Sequence, residues 1–131
     1  MTPDPGSPAD WLRFARSDLA MARRPHEGDI LVESLCFHAQ QAVEKSLKAV
    51  LLAHAIAFPH THNLAILLAL LPATPVPPRV AASAALTDYA VTVRYPGIYE
   101  DISDEEYQEA IQIAETVLAW ASAIVGPDRP V

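Results

Sequence analysis

Ser34-Leu-Cys-Phe-His-Ala-Gln-Gln-Ala-Val-Glu-Lys-Ser-Leu-Lys-Ala-Val-Leu-Leu52 is the stretch whose reading decides the fold. Neither Gly nor Pro interrupts it, and Ala, Leu, Glu, Lys and Gln are good helix formers. The pattern predicts the middle of a long helix running from Asp29 to Ile56. Val32, Cys36, Ala39, Val43, Leu47 and Val50 recur at steps of three and four, so they share one face. Leu31, Leu35, Ala42, Ala49 and Leu52 form a second apolar row beside it. Two rows are too broad for a helix packed on one side only, so other helices are expected to wrap around it. In mid-helix, Gln40, Gln41, Glu44, Lys45 and Lys48 gather polar groups, with His38 one turn earlier. Glu44 and Lys48 stand at i and i+4, the favourable order for a helical ion pair. These residues read either as a solvated outer face or as a polar seam at an interface or ligand groove.

Working outward, Ser7 and Pro8 offer a cap and a first-turn proline for a helix over Ala9–Arg24. Trp11, Leu12, Ala15, Leu19 and Ala22 give its inner face. Arg13, Arg16 and Arg23 give an outer basic edge, with Asp18 among them. After the long helix and Phe58-Pro59, a short helix is expected over Asn63–Leu71, capped by Thr61 or Asn63 and buried through Leu64, Leu67, Leu68 and Leu71. Prolines at 72, 75, 77 and 78 make a stiff extended crossing. A fourth helix is expected from Arg79 to Arg94, with Val80, Ala84, Thr87 and Val91 in one row and Pro96-Gly97 closing it. The fifth begins at Ser103-Asp-Glu-Glu106, a capping box with acids in the first turn. Its inward stripe is Tyr107, Ala110, Ile111, Ala114, Val117, Leu118, Ala121 and Val125. The fold class is therefore all-α, an antiparallel up-and-down bundle of four to five helices. The expected organisation is a loose N-terminal arm over 1–8, a bundle over 9–126 and a tail over 127–131.

The totals agree with one globular domain. At 131 residues the chain is 51% hydrophobic and 19% charged, outside the disordered range. A net charge of -7 argues against coating nucleic acid by charge alone, while leaving room for a local basic patch. The single cysteine, Cys36, lies on an apolar helix face and has no internal partner, which makes a reducing cytoplasm the default. The N-terminus lacks the basic and apolar regions of a signal peptide, and no apolar run approaches the ~18 residues of a membrane span.

Three clusters carry candidate chemistry. His60-Thr-His62, with His54 or His38 as a third ligand, invites a metal reading, but the spacing matches no zinc pattern, so neither a metal nor a cofactor is expected. Arg94 followed by Tyr95-Pro-Gly97, with Tyr89 one turn and more before it, suits a helix C-terminus packed by a tyrosine. The same groups suit a phosphate and a base. The acids from Glu100 to Glu109 cap a helix or dock a basic partner.

Taken in order, Asp18-Leu19, Gln40-Gln-Ala-Val-Glu-Lys-Ser-Leu-Lys-Ala49, His60-Thr-His-Asn-Leu64 and Tyr89 with Arg94-Tyr-Pro-Gly97 resemble the HEPN domain family (higher eukaryotes and prokaryotes nucleotide-binding) over about Asp10 to Val125. The resemblance implies a small prokaryotic helical bundle, usually a homodimer, often paired with a minimal nucleotidyltransferase in a toxin-antitoxin-like system. In the wider superfamily, metal-independent RNases place an Arg, four to six intervening positions and then a His across a dimer cleft, the His as acid/base and the Arg on phosphate. No histidine follows His62 in this sequence, so Arg94 has none downstream. The expectation is a non-catalytic binding module for nucleotide, RNA or a nucleotidyltransferase partner, its groove lined by Gln41, Lys45, Lys48, Tyr89, Arg94 and Tyr95. Two alternatives stand beside it. One is an RNase with a relocated histidine, His62 working with Arg94. The other is a purely structural dimer docking a basic partner on its acidic last helix.

Overall fold

A computed structural model describes residues 6–72, 76–91 and 102–126. Helix α1 spans Pro8–Ala22, α2 Val32–Ala53 and α3 Leu64–Ala69; α4 Pro78–Ala81 and α5 Asp88–Val91 flank a 3-10 stretch over Ala82–Thr87, and α6 spans Asp104–Val125. No strand occurs among the described residues. The all-α architecture is as expected. Helix α2 packs most extensively on α1 and then on α6, and α1 also touches α6.

The helix starts follow from local chemistry. Ser7 accepts from the Asp10 N–H while the Asp10 carboxylate accepts from the Ser7 N–H, a capping box that fixes the start of α1. Ser103 and Glu106 repeat the device at α6. Asn63 caps α3 by accepting from the Ala65 N–H at 3.0 Å. Both apolar rows of α2 are buried except at their ends: Leu31, just outside the helix, is 60% exposed, and Leu52 is half-buried. Alanines at 39, 42, 49 and 114 are fully buried and let the axes of α2 and its neighbours approach closely.

Three expectations need correction. The long helix ends at Ala53, not Ile56. Ala55 takes a left-handed conformation (φ 56°), and the Ile56 N–H turns back to the Leu51 carbonyl at 2.9 Å. The helix expected over Arg79–Arg94 is broken in its middle. Its buried positions are Val80, Ser83 and Leu86, three apart, which is the 3-10 repeat, and not the row through Ala84 and Thr87. Ser83 Oγ donates to the Val80 carbonyl at 2.6 Å, and Thr87 Oγ1 accepts from the Leu64 N–H at 3.0 Å, so this stretch is shaped by side-chain hydroxyls and by α3. Asp18, expected on the outer edge of α1, is 8% exposed. The end of the fourth helix at Pro96-Gly97, and Arg94 and Tyr95 with it, lie outside the described residues.

Candidate functional site

The polar groups of α2 form a buried seam, not a solvated face. Its centre is Glu44, 3% exposed. Glu44 Oε2 accepts from Lys48 Nζ at 2.9 Å. Glu44 Oε1 accepts from His62 Nδ1 at 2.8 Å and from Gln40 Nε2 at 3.2 Å, with Gln41 Nε2 at 3.4 Å. Gln40 Nε2 also reaches the His62 carbonyl at 3.2 Å, and Gln41 Nε2 donates to Gln40 Oε1 at 2.7 Å. Burial by itself raises the Glu44 carboxyl, but the hydrogen bonds from His62, Lys48 and Gln40 and the Lys48 charge outweigh it, so its pKa lies below the ordinary 4.5. Lys48 lies over the rings of Trp11 (5.5 Å) and Phe58 (5.7 Å), which themselves meet edge to face at 6.3 Å. The seam thus clamps the 58–62 loop and the start of α1 onto α2.

A second cluster lies farther along the α1–α2 contact. Asp18 Oδ1 accepts from His38 Nδ1 at 2.9 Å and Oδ2 from Lys45 Nζ at 2.6 Å. The side chains of His38 and Lys45 are 29% and 25% exposed, so this cluster reaches solvent through both of Asp18's partners. Phe37 sets its ring edge-on to His38 at 5.5 Å and remains 38% exposed. Phe14, one turn before Asp18, is 50% exposed and carries the Arg13 guanidinium over its ring at 5.3 Å.

The nominated residues therefore part company. Gln41 and Lys48 belong to the Glu44 seam, while Lys45 belongs to the Asp18 cluster. His62 is 58% exposed with its Nδ1 on Glu44. Tyr89 lines a cavity of about 440 Å³ with Leu86, Glu105, Glu106, Glu109 and Ile113. His54 donates from Nδ1 to the Val50 carbonyl at 3.0 Å, so three of the five histidines are spent on separate partners. Among the described residues no group of three His, Cys, Asp or Glu side chains is placed to hold a metal ion. The pairing of Asp18 with His38 and Lys45 was hidden from the sequence, because it joins residues 20 and 27 positions apart on different helices.

The HEPN domain family model matches residues 8–124. Among solved structures, the chain is similar to TT1696 from Thermus thermophilus, with a TM-score of 0.74 and 32% identity over 89% of this chain and 97% of that one. Its fold is also that of ST0689, an archaeal HEPN homologue, with a TM-score of 0.71 and 24% identity over 92% of this chain and 99% of that one. No curated protein matches it. With the family model covering nearly all of α1 to α6, the chain belongs to the HEPN domain family.

Proposed function

We propose that the chain is a non-catalytic HEPN binding module, a cytoplasmic homodimer that holds RNA or a nucleotide and works beside a nucleotidyltransferase in a toxin-antitoxin-like pair. The observation that carries the ligand class is where the cations sit. Six of the nine Lys and Arg residues (Arg13, Arg16, Arg23, Arg24, Lys45 and Lys48) belong to α1, its C-terminal end and α2. Exposed Phe14 and Phe37 accompany them. Cations interleaved with exposed aromatic rings suit single-stranded nucleic acid, whose phosphates and bases they meet in turn. Of the contacts nominated from sequence, Gln41, Lys45, Lys48, Tyr89, Arg94 and Tyr95, we put the part-exposed Lys45 foremost, its Nζ shared with Asp18. Lys48 meets a ligand only by leaving Glu44.

Binding of a fluorescent single-stranded RNA tests this reading. Affinity should fall steeply with salt, as counterion release requires, and Arg16→Glu should weaken it. No affinity at low salt contradicts it. Met21 on α1 and Leu31 just before α2, both exposed apolar side chains, support self-association, which light scattering reads directly. A second reading is favoured by one contact. His62 has its Nδ1 held by a buried carboxylate, the arrangement that orients an acid/base imidazole. RNA cleavage that disappears in His62→Ala would make the protein an RNase with Arg94 as its phosphate partner. No described helix is long and apolar enough to cross a membrane.

A further inference from the structure

We infer that His38 reads the sugar: its Nε2 accepts a hydrogen bond from the 2′-hydroxyl of a single-stranded RNA laid across the outer face of α1 and α2. The inference rests on the RNA-binding reading above and adds a residue and a specificity to it. Asp18 is buried, and both its oxygens are occupied, one by His38 Nδ1 at 2.9 Å and the other by Lys45 Nζ at 2.6 Å. The carboxylate only accepts, so Nδ1 carries the proton it shares with Asp18, and a neutral ring then presents its lone pair on Nε2. Among the described residues no donor reaches Nε2, and the ring is 29% exposed. The result is a fixed acceptor at the surface.

Its neighbours say what should donate. The exposed Phe37 ring, 5.5 Å from the imidazole, offers a face for a base, and Lys45 lies on the other side of the shared carboxylate. In a nucleotide, the group between base and phosphate is the ribose, and the donor that RNA has and DNA lacks is the 2′-hydroxyl. An oriented acceptor between an aromatic ring and a cation matches that order.

The test compares a short oligouridylate with an oligodeoxyuridylate of the same length on the intact protein, so that the 2′-hydroxyl is the only difference. The protein should bind the ribo strand about fivefold more tightly, the worth of one net hydrogen bond. His38→Ala should bind both strands equally, at the deoxy strand's affinity. Asp18→Asn, which frees the imidazole to turn, should shrink the preference. Phe37→Ala should weaken both strands alike and keep it, and melting curves establish that each variant is folded. Equal binding of the two strands by the unsubstituted protein, or a preference that survives His38→Ala, overturns the inference while leaving RNA binding intact. Failure to bind either strand overturns the RNA-binding reading itself.

Discussion

Glu44 keeps a negative charge at a position 3% exposed, and its surroundings explain how. Two cationic or proton-donating side chains and two amides point at the carboxylate, from Lys48, His62, Gln40 and Gln41. Removing the carboxylate strands the Lys48 ammonium, itself 7% exposed. Glu44→Ala should therefore cost about 3–5 kcal/mol in urea unfolding, because an unpaired buried charge is expensive. The double variant Glu44→Ala, Lys48→Met should recover much of that loss. The sign of the acid response is also fixed. Glu44 has a folded pKa below its ordinary 4.5, so the unfolded chain holds this proton more tightly than the fold does. Its stabilisation is complete above pH 4.5 and is lost as pH falls through the lowered folded value. Unfolding free energies collected down the acid limb should show a shallower decline in Glu44→Gln than in the parent. Tyr107 gives the opposite sign at the alkaline end. Its hydroxyl donates to the Ala22 carbonyl at 2.6 Å, and burial, with a smaller effect from Cys36, raises its pKa above 10.0. The stability it lends is present below pH 10.0 and lost as pH rises through the folded value.

Among the elements, the two long helices show how far periodicity reaches. The stripe predicted for the last helix is buried from Ala110 through Ala121, and Ile113 joins it from the flank. The capping box at Ser103 was legible because its two residues lie three apart, as was the cap at Ser7. Ser103→Ala should cost about 0.5–2 kcal/mol by thermal melting, since it strands the Glu106 N–H at the start of α6. Where the sequence misleads, a tertiary partner decides. Val80, Ser83 and Leu86 follow a three-residue repeat because the Ser83 hydroxyl bonds backwards and α3 leans on Thr87. Apolar spacing in an Ala-rich run cannot separate that from an α-helix. The end of α2 is hidden in the sequence for a different reason. The left-handed residue after its C-cap is Ala55, where glycine would have announced the stop. Ala55→Gly should raise stability by up to about 1 kcal/mol, since the left-handed conformation costs an L-residue about 1–2 kcal/mol and glycine gives part of this back through its freer unfolded chain. A drop in melting temperature for this variant would show that the turn is not strained. The site was only partly legible. Gln40, Glu44 and Lys48 are legible as a group because they share a helix, whereas Asp18 meets His38 and Lys45 only through the packing of α1 on α2.

At the scale of the whole molecule, charge is divided between the two ends of the sequence. Residues 8–53 hold six cations and six acids, so the net charge of -7 lies entirely outside α1 and α2. Asp104, Glu105, Glu106, Glu109 and Glu115 all stand on α6, where the first three also complement the helix N-terminus. An anionic polymer is therefore steered away from α6 and toward the Arg-bearing face of α1, with its polar centre at Asp18, His38 and Lys45. This division, on a HEPN bundle without the Arg-His pair of the RNases, is the basis for reading the protein as a binder. The most direct test is a titration of the isotope-labelled protein with oligouridylate, followed by backbone and side-chain NMR shifts. The account predicts that perturbations centre on Arg13, Phe14, Arg16, Phe37, His38 and Lys45. Shifts confined to Tyr89 and the acidic first turns of α6, or no shifts at saturating RNA, would contradict it.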